Sequence, residues 1–591
     1  MADLSDTFLQ RGIAALHSSL GAEAAAALLQ PAPLRFGEAA SFYFPLPQDY
    51  TGQERRLRIA FPNSFPRELL RLSIEPSPWL VWPHATPAGL CLYGFQQRPI
   101  TGSPEFIVED CISRLRKICS LSLPETDLTL RHAEFCNEIT SYWSIQHKHS
   151  RQNLILLDRP KMASALFALS DPRQAVPSGH ETVWLATDAF VLSQHYKRMI
   201  GRSVSLRATE SPGFYIKLRS YPGLRTPAPG QLLPWLLPHL APDDETAFLS
   251  WLEAHNSLIN KWIVLELPGN ERASVYCLNI FLPGTQADRG MKFGLRTARK
   301  RPAITDAHRL AKIRTSTLDI LDRAEVYSRD VSKTSKTLEK CRVVCVGVGS
   351  LGGAVALQLA RAGVGHLTLI DPDIFVAANI GRHVLGVDDL GRAKAVALRE
   401  KIRNDLPFTD VTTCVNFAEF VLLQEPAIFE NADLVVVTTA DWRSEVSLWR
   451  EKSKDKSWGM IQAWSEPNAL VGHAIFAPDG AYDARDLFNE NGNFNYKFTE
   501  WPDDGIVELP ACGESFIPGS FMGITNIALM TSQMAVNALA KRTNTPIWTS
   551  SIYRPQDVAI LHGKYIGPSL TDGVQQTILE REWPVIKENG K

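Results

Sequence analysis

A glycine-rich turn between an apolar strand and a helix constrains the fold of this chain more than any other feature. The turn contains Gly347, Gly349 and Gly352, and a later apolar run at residues 366–370 ends at Asp371. Glycines allow close approach to a phosphate, a helix N-terminus offers N–H groups to the anion, and an acid after the next strand can bond a ribose. The pattern predicts an adenine-nucleotide site. By itself it does not separate a dinucleotide dehydrogenase from an ATP-using enzyme.

The length of 591 residues exceeds what one hydrophobic core serves, so we expect a multidomain α/β protein with three domains. Residues 1–150 have the mixed helix and strand patterns of a small α+β domain. Residues 151–310 show several strands around one helical stretch that opens at Pro242, which predicts an α+β middle linker domain. Residues 311–591 alternate strands with helices, so a Rossmann-like domain with a mainly parallel sheet is expected.

Three local patterns refine these domains. Residues 8–29 predict a helix, and residues 55–61 predict a half-buried strand because apolar residues alternate with Arg56 and Arg58. Basic residues cluster at 292–314, a pattern typical of a solvated linker.

The near-zero net charge excludes partners that are attracted by the overall electrostatic field of a protein. The chain has 62 basic and 63 acidic side chains, so neither nucleic acid nor an anionic membrane is expected as a partner. It has no apolar run of about 18 residues and no basic start followed by an apolar segment, so we expect a cytoplasmic protein. Its nine cysteines include no C-x-x-C pair, which argues against a disulfide framework and a structural zinc.

Polar residues after Asp371 distinguish between the two nucleotide classes. Asn379, Arg382 and Lys394 follow the second strand, and Asp441 follows the apolar strand at 433–437. A triphosphate needs cations and a magnesium ligand at the strand ends, whereas a dinucleotide does not. The segment from about 340 to 445 resembles the ThiF/MoeB and ubiquitin-activating superfamily of ATP-dependent adenylating enzymes.

The resemblance implies an ATP- and Mg²⁺-dependent reaction in which a carboxy-terminal glycine attacks the α-phosphate. By this resemblance Asp371 holds the ribose, Asn379, Arg382 and Lys394 contact the phosphates, and Asp441 binds Mg²⁺ and is catalytic. The alternative is that Arg382 and Lys394 are surface cations and that Asp441 caps a helix. Relatives usually dimerise, so a homodimer is expected, and Arg329 is a candidate for the arginine that reaches across it.

Cys512 is the candidate for the thiol that captures the adenylate. Activating enzymes of the superfamily form a thioester, and Cys512 is the only cysteine after Asp441. It lies in a loop rich in glycine and proline ahead of a helical stretch, where a thiolate is favoured. The alternative is a small buried residue, as most cysteines are.

A second candidate thiol lies in the first domain, which resembles ubiquitin-conjugating enzymes. Phe61-Pro62 with Phe65-Pro66 resembles their proline-rich turn, His84 stands for their motif histidine, and residues 89–92 around Cys91 resemble their active-site segment. Their asparagine is replaced around Ala85 and Thr86, so the sequence does not identify the residue that donates a hydrogen bond to the oxyanion. The alternative is a core cysteine in an inactive module.

A conjugating-like domain ahead of an activating-like domain resembles a family of fusion proteins from CBASS anti-phage systems. That family implies adenylation of the C-terminus of a cGAS-like nucleotidyltransferase (a CD-NTase), a thioester at Cys512, transfer to Cys91 and conjugation to target lysines. A dehydrogenase, a sulfur-carrier adenylating enzyme, activation of a ubiquitin-like protein and a non-catalytic scaffold remain as alternatives.

Overall fold

The chain divides after Asp322, with Met1–Asp322 forming one structural unit and Arg323–Lys591 a second. The computed structural model describes residues 2–21, 23, 27–93, 102–147, 149–171, 181–200, 212–228, 230–255, 260–269, 274–281, 312–508, 515–571 and 573–583. No described helix is long and apolar enough to cross a membrane.

The first unit begins with an antiparallel sheet of four strands. Their order is β1 (Gln30–Pro31), β2 (Glu38–Pro45), β3 (Arg56–Pro62) and β4 (Arg71–Glu75). Helices Ala2–Leu20 and Pro104–Ser122 share one apolar core with the sheet. The first helix ends at Leu20, because Gly21 has a left-handed φ of 88°, and residues 23, 27 and 28 are helical again, so the helix predicted over residues 8–29 is interrupted.

Strand β3 is buried on both faces, which differs from the half-buried strand predicted from its alternation. Leu57 and Ile59 lie in the core as expected. Arg58, on the other face, is also buried and forms an ion pair of 2.6 Å with Glu38 on β2. A buried arginine is tolerated because the carboxylate neutralises it and accepts its hydrogen bonds.

A short hairpin and two helices complete this part of the unit. The hairpin pairs β5 (Ala85–Thr86) with β6 (Gly89–Leu90), and the helices are Leu128–Asn137 and Ile139–Gln146.

A closed seven-stranded barrel forms the rest of the first unit. Its strands are β7 (His149–Leu156), β8 (Ser164–Ser170), β9 (Glu181–Ala186), β10 (Gly213–Lys217), β11 (Asn260–Glu266), β12 (Val275–Phe281) and β13 (Lys312–Ile320). They close in the order β10-β11-β12-β13-β7-β9-β8. The helices Ala189–Ile200, Leu232–Leu236 and Pro242–Ala254 accompany the strands, so the prediction of one helical stretch was wrong.

The barrel also corrects the boundary predicted between residues 310 and 311. Strand β13 pairs with β12 on one side and with β7 on the other, so residues 312–320 belong to the barrel. The second unit begins at Arg323. Most of the basic cluster at 292–314, which was expected to be a linker, lies outside the described residues.

An eight-stranded sheet is the centre of the second unit. Its strands are β14 (Arg342–Val346), β15 (His366–Ile370), β16 (Asp410–Cys414), β17 (Leu434–Val437), β18 (Gly459–Ser465), β19 (Val471–Ala477), β23 (Ile547–Tyr553) and β25 (Gln576–Glu582). They lie in the order β16-β15-β14-β17-β18-β19-β23-β25. The first five are parallel, as predicted, and the last three are antiparallel.

Helices and two short antiparallel strand pairs surround this sheet. The helices are Arg323–Val326, Thr334–Leu338, Ser350–Ala362, Lys394–Asp405, Ala418–Gln424, Ala427–Glu430, Trp442–Lys452, Phe521–Leu539 and Asp557–Ile560. In the two short antiparallel pairs, β20 (Thr499–Glu500) pairs with β24 (Lys564–Tyr565), which is distant in sequence, and β21 (Val507–Glu508) forms a hairpin with β22 (Ser515–Phe516). Strands β14 and β17 are almost wholly buried apolar runs, as expected where helices cover both faces of a parallel sheet.

Candidate active site

The order of the parallel strands places a crevice at the carboxyl end of β14. Strands β15 and β16 lie on one side of β14, whereas β17 lies on the other. The chain therefore leaves β14 at the point where the strand order reverses, which is where open α/β sheets bind ligands. The glycine turn that begins at Gly347 follows β14 directly.

Two of the three predicted glycines are required by close packing. Gly347 has a φ of 79°, and a Cβ there would lie 2.8 Å from the Cα of Thr439. A Cβ at Gly352 would lie 1.9 Å from the carbonyl oxygen of Gly347 and 2.3 Å from the Oγ1 of Thr438. The loop after β14 and the loop after β17 therefore touch, and only glycine permits the contact.

Gly349 serves a different purpose. A Cβ at this position would meet no described atom within 4 Å, so the missing side chain leaves open space beside the backbone. Gly349 is also the N-cap of helix Ser350–Ala362 and gives it no side-chain cap. The first N–H groups of the helix therefore have no side-chain acceptor at the cap, and a phosphate at this position would accept their hydrogen bonds.

Asp371 and His383 hold the turn through Val348. Asp371 Oδ2 accepts from the Val348 amide at 2.7 Å, and Asp371 Oδ1 accepts from the Asp373 amide at 2.8 Å. His383 Nδ1 accepts from the Leu385 amide, so Nε2 carries the proton and donates to the Val348 carbonyl at 2.8 Å. Burial raises the pKa of Asp371 and lowers that of His383, which keeps the imidazole neutral.

Lys394 is not a surface cation, so that alternative was wrong. Its side chain is 11% exposed, and Nζ donates to Asp373 Oδ2 at 2.7 Å. The Lys394 amide also donates to the Asp373 carbonyl at 2.9 Å, which fixes the start of helix Lys394–Asp405 beside the end of β15. Asp373 is 62% exposed, so its carboxylate is open to a ligand hydroxyl as well as to the ammonium.

Arg382 and Asn379 lie on the segment that precedes His383. Asn379 ends a 3-10 turn, Ala377–Asn379, and its Oδ1 accepts from the Val376 amide at 3.1 Å. Arg382 is half-buried, and its Nε is buried without a hydrogen-bond partner among the described residues. Such an orphaned donor is rare in folded proteins, and an anionic ligand would satisfy it.

Asp441 caps helix Trp442–Lys452, as the alternative from the sequence anticipated. Its Oδ2 accepts from the Ser444 amide at 3.4 Å and from the Ser444 hydroxyl at 2.7 Å. Its Oδ1 has no hydrogen-bond partner within the part of the chain that the structure describes. The described residues also contain no cluster of three or more acids, histidines or cysteines that could hold a metal. A Mg²⁺ ion here would take one oxygen from Asp441 and the others from phosphates and water, which suits this ion.

A buried carboxyl behind this turn was missed by sequence reasoning. Glu445 accepts from the Thr439 hydroxyl at 3.0 Å and from the Gln462 amide group at 2.8 Å. Burial raises its pKa to about 7. Ala440, between Thr439 and Asp441, has a positive φ of 53°, a strained value for alanine.

Other site residues missed from the sequence are His383 and Asp373. Both belong to the sequence stretches that contain Asp371 and Arg382, so the signal was present. Their roles depend on contacts with Val348 and Lys394 that sequence spacing does not reveal.

Cys512 and its loop at 509–514 lie outside the described residues. The segments on either side pair as β21 and β22, with Val507 opposite Phe516 and Glu508 opposite Ser515. Helix Phe521–Leu539 follows, capped by the Ser520 hydroxyl, which accepts from the Gly523 amide at 3.1 Å.

Cys91 is an exposed thiol, so the alternative of a core cysteine was wrong. It follows strand β6, and its amide donates to the His84 carbonyl at 2.7 Å. His84 has a φ of 60°, and its ring nitrogens lie 2.9 Å from Glu138 Oε1 and 3.3 Å from Glu134 Oε2. The hydrogen bond to Glu138 raises the pKa of His84. Thr86 donates to the Gly89 carbonyl, so its hydroxyl serves the hairpin.

Comparison with known proteins agrees with the geometry of the crevice. The model of the ThiF family matches residues 325–453. A probable adenylyltransferase/sulfurtransferase MoeZ from Mycobacterium tuberculosis is 30% identical over 33% of this chain and 49% of its own length. The ATP-dependent ubiquitin transferase-like protein Cap2 from Escherichia coli is 25% identical over 34% of this chain and 35% of its own. Cap2 from Pseudomonas aeruginosa is also 25% identical, over 37% and 38%.

These matches cover a limited part of each protein. The chain spans less than half the length of these curated relatives. Among solved structures, Escherichia coli MccB with ATP is 17% identical and covers 38% of this chain and 68% of its own, with a TM-score of 0.28. A score of this size supports no further conclusion. The family match places residues 325–453, with the glycine turn and every crevice residue described above except Gln462, in a domain of the ThiF family.

Proposed function

We propose that the second unit uses ATP to activate the carboxyl terminus of a protein substrate. The carboxylate attacks the α-phosphorus of ATP, the bond from that phosphorus to the β-bridging oxygen breaks, and pyrophosphate leaves. The product is an acyl adenylate. The observation that carries this proposal is the buried, unpaired Nε of Arg382 on the segment that holds the glycine turn through His383.

Each residue of the crevice has a role in this reaction. The backbone at Gly349 and the N-terminus of helix Ser350–Ala362 bind phosphate, with Gly347 and Gly352 permitting the turn. Arg382 and Lys394 balance the charge that develops on the phosphates, and the side-chain NH2 group of Asn379 donates hydrogen bonds to them. Asp371 holds the turn, so the more exposed Asp373 is the better acceptor for the ribose hydroxyls.

Mg²⁺ supplies Lewis-acid polarisation of the phosphates when it is bound, and Asp441 is the residue that would hold it. Thr438 donates to the Gly347 carbonyl at 2.7 Å, which fixes the Asp441 turn against the glycine turn. Glu445, on helix Trp442–Lys452, holds the same turn through its hydrogen bond with Thr439.

The acyl group then moves to cysteine. The Cys512 thiolate attacks the acyl carbonyl and AMP leaves, and the Cys91 thiolate attacks the resulting thioester while the Cys512 thiolate leaves. A lysine amine of a target attacks at Cys91 and forms an isopeptide bond, and the Cys91 thiolate departs. The exposure of Cys91 supports its part in this sequence, since an acyl acceptor must be reachable.

The acyl donor in our proposal is the C-terminus of a CD-NTase, and the acceptors are lysines of target proteins. The similarity to Cap2, named a ubiquitin transferase-like protein, supports this choice. We also propose that residues 1–150 form the ubiquitin-conjugating-like domain, that the barrel is the middle domain, and that the chain works as a cytoplasmic homodimer. Arg329, exposed ahead of β14, is the arginine proposed to reach across.

ATP–pyrophosphate exchange tests the activation step. Purified chain with a nucleotidyltransferase that ends in glycine should exchange pyrophosphate into ATP, and Arg382→Ala should reduce the rate by about 100-fold. Arg361→Ala is the matched control, because Arg361 lies exposed at the far end of helix Ser350–Ala362. Equal rates for the two variants would contradict the role of Arg382.

Sulfur-carrier adenylation is the second candidate, favoured by the similarity to MoeZ. A small carrier that ends in glycine would then replace the nucleotidyltransferase and would become a thiocarboxylate. Mass spectrometry distinguishes the two outcomes, because a thiocarboxylate carries sulfur in place of oxygen and an isopeptide joins two chains.

A further inference from the structure

Helix Ile139–Gln146 contacts both the barrel and the segment that carries Cys91. Ile139 and Trp143 belong to the apolar core of the barrel. Tyr142, one position before Trp143, is instead hydrogen-bonded to His84. Adjacent residues on a helix point about 100° apart, so one short helix presents different faces to the two regions.

The barrel face of this helix is held by packing and by hydrogen bonds. The Trp143 ring lies against Trp235 and Tyr276, with centroids 5.3 and 5.2 Å away, and its Nε1 donates to the Gly223 carbonyl at 3.0 Å. Gln146 Nε2 donates to the Leu224 carbonyl at 2.8 Å. These contacts fix both the position and the rotation of the helix on the barrel.

The other face holds the backbone and the ring of His84. The Tyr142 hydroxyl accepts from the His84 amide at 2.8 Å and donates to Glu138 Oε2 at 2.9 Å. Glu138 Oε1 lies 2.9 Å from the Nδ1 of His84. Tyr142 is buried, with its ring packed against Phe135 and Trp79.

His84 passes this constraint to Cys91. Its left-handed φ of 60° is unfavourable for a residue with a side chain, so the surroundings must impose it. Tyr142 holds the His84 amide, and the His84 carbonyl accepts from the Cys91 amide at 2.7 Å. A single residue, His84, therefore connects the backbone of Cys91 to Tyr142, which lies on the helix that packs against the barrel.

We propose that Tyr142 and Glu138 are positioning residues for the Cys91 thiol, and that through them the barrel sets the geometry of the acyl acceptor. The inference rests on the proposed function, in which Cys91 accepts the acyl group. It gives the middle domain a role in conjugation, in addition to connecting the first domain to the second unit along the chain. The observation that supports this inference is the hydrogen bond that the hydroxyl of buried Tyr142 accepts from the amide of the strained residue His84.

The test uses the full chain with Tyr142→Phe, which keeps the ring and removes the hydroxyl. Tyr50→Phe is the matched control, because the Tyr50 hydroxyl also bonds the backbone of the same unit, there by donating to the Val81 carbonyl. Hydrogen exchange of the amides in residues 84–93 should accelerate by about tenfold or more in Tyr142→Phe and stay unchanged in Tyr50→Phe. Acyl transfer to Cys91 should fall by about tenfold while pyrophosphate exchange stays unchanged.

Three further variants test the series of contacts from the barrel to Cys91. Glu138→Gln keeps an acceptor for Tyr142 and should retain most of the transfer rate, whereas Glu138→Ala should lose it. Gln146→Ala removes the hydrogen bonds to Leu224 and Thr226 on the barrel side, together with one to the Tyr142 carbonyl in its own helix, and should accelerate amide exchange at His84 by a smaller factor. Unchanged exchange at His84 in Gln146→Ala would overturn the link to the barrel.

The outcomes separate this inference from the proposed function. If wild-type chain never carries an acyl group on Cys91, the acceptor function fails, and amide exchange alone still decides whether Tyr142 holds the segment. If wild-type chain is loaded and Tyr142→Phe behaves like Tyr50→Phe in both measurements, the positioning role is wrong. Faster amide exchange without slower transfer would also overturn it.

Discussion

The nucleotide crevice and the Cys91 site are held in place by different means. In the crevice, the buried Asp371 and His383 bond the amide and the carbonyl of Val348, in loops at the carboxyl end of a sheet of buried strands. At Cys91, a two-residue hairpin is held by His84, whose side chain is 25% exposed and faces two carboxylates. The crevice is fixed by its own domain, whereas the thiol site depends on a helix that is anchored elsewhere.

This contrast predicts that the two sites can be damaged separately. Cys91→Ala should abolish conjugation completely and leave ATP–pyrophosphate exchange at the wild-type rate, because the thiol has no part in adenylation. The measurement is exchange and isopeptide product in parallel. Cys119→Ala is the control, because Cys119 lies in the same domain but is partly buried. Conjugation that continues in Cys91→Ala would contradict the role of Cys91 as acyl acceptor.

Changes in the crevice should instead reduce both activities. Lys394→Ala removes the cation that pairs with Asp373 and should lower pyrophosphate exchange and conjugation by about 100-fold. Lys401→Ala, on the same helix and paired with Asp405, is the matched control and should stay near wild type. An equal loss in both lysine variants would indicate damage to the helix, and no loss in Lys394→Ala would contradict its role.

A smaller change tests the packing of the glycine turn. Gly352→Ala places a Cβ 1.9 Å from the Gly347 carbonyl, so the turn must shift, and exchange should fall by roughly ten- to a hundredfold. Gly386→Ala introduces a Cβ that meets nothing within 4 Å and should change little. Full activity in Gly352→Ala would mean that phosphate binding does not depend on the conformation of this turn.

The smallest effect concerns stability. Glu445 keeps its proton in the folded state up to about pH 7, whereas an unfolded glutamate loses it near about pH 4.3. The folded state binds more protons in this window, so stability falls as pH rises through it. Glu445→Gln removes this titration, and its stability relative to wild type should rise by about 1–3 kcal/mol between about pH 5 and pH 8.

Denaturant unfolding at several pH values measures this difference. Glu451→Gln is the control on the same helix, because ion pairs with Lys454 and Lys456 lower the pKa of Glu451. Its contribution to stability is lost only at lower pH, as pH falls through the lowered pKa. A difference for Glu445→Gln that does not change with pH would show that the Glu445 carboxyl is ionised throughout.

The glycine turn of the crevice was predictable from the sequence because its constraints are local. At Gly347 and Gly352 any side chain would collide with neighbouring backbone atoms. Glycine is therefore required at both positions, and its spacing in the sequence indicates the turn. Asp371 lies where it was expected, but its bond to the Val348 amide depends on a turn that the strand pattern does not describe. The roles of His383 and Asp373 were missed for the same reason.

The first unit was less predictable because its constraints are distant in sequence. Strand β13 belongs to the barrel through pairing with β7, which lies far away along the chain, so the basic cluster suggested a linker instead. Arg58 was expected at a surface and is buried because Glu38 accompanies it. The motif around His84 was found, but the two residues that hold it come much later in the chain: Tyr142 lies on helix Ile139–Gln146, and Glu138 is the cap residue just before that helix.

The most direct test of the account is to identify which cysteine carries the donor's C-terminal peptide after reaction with ATP. Peptide mass spectrometry under non-reducing conditions should find the acyl group on Cys512 and on Cys91 in the wild-type chain. In Cys512→Ala, Cys91 should carry none while pyrophosphate exchange continues. An acyl group on Cys91 without Cys512, or on neither cysteine of the wild-type chain, would contradict the proposed relay.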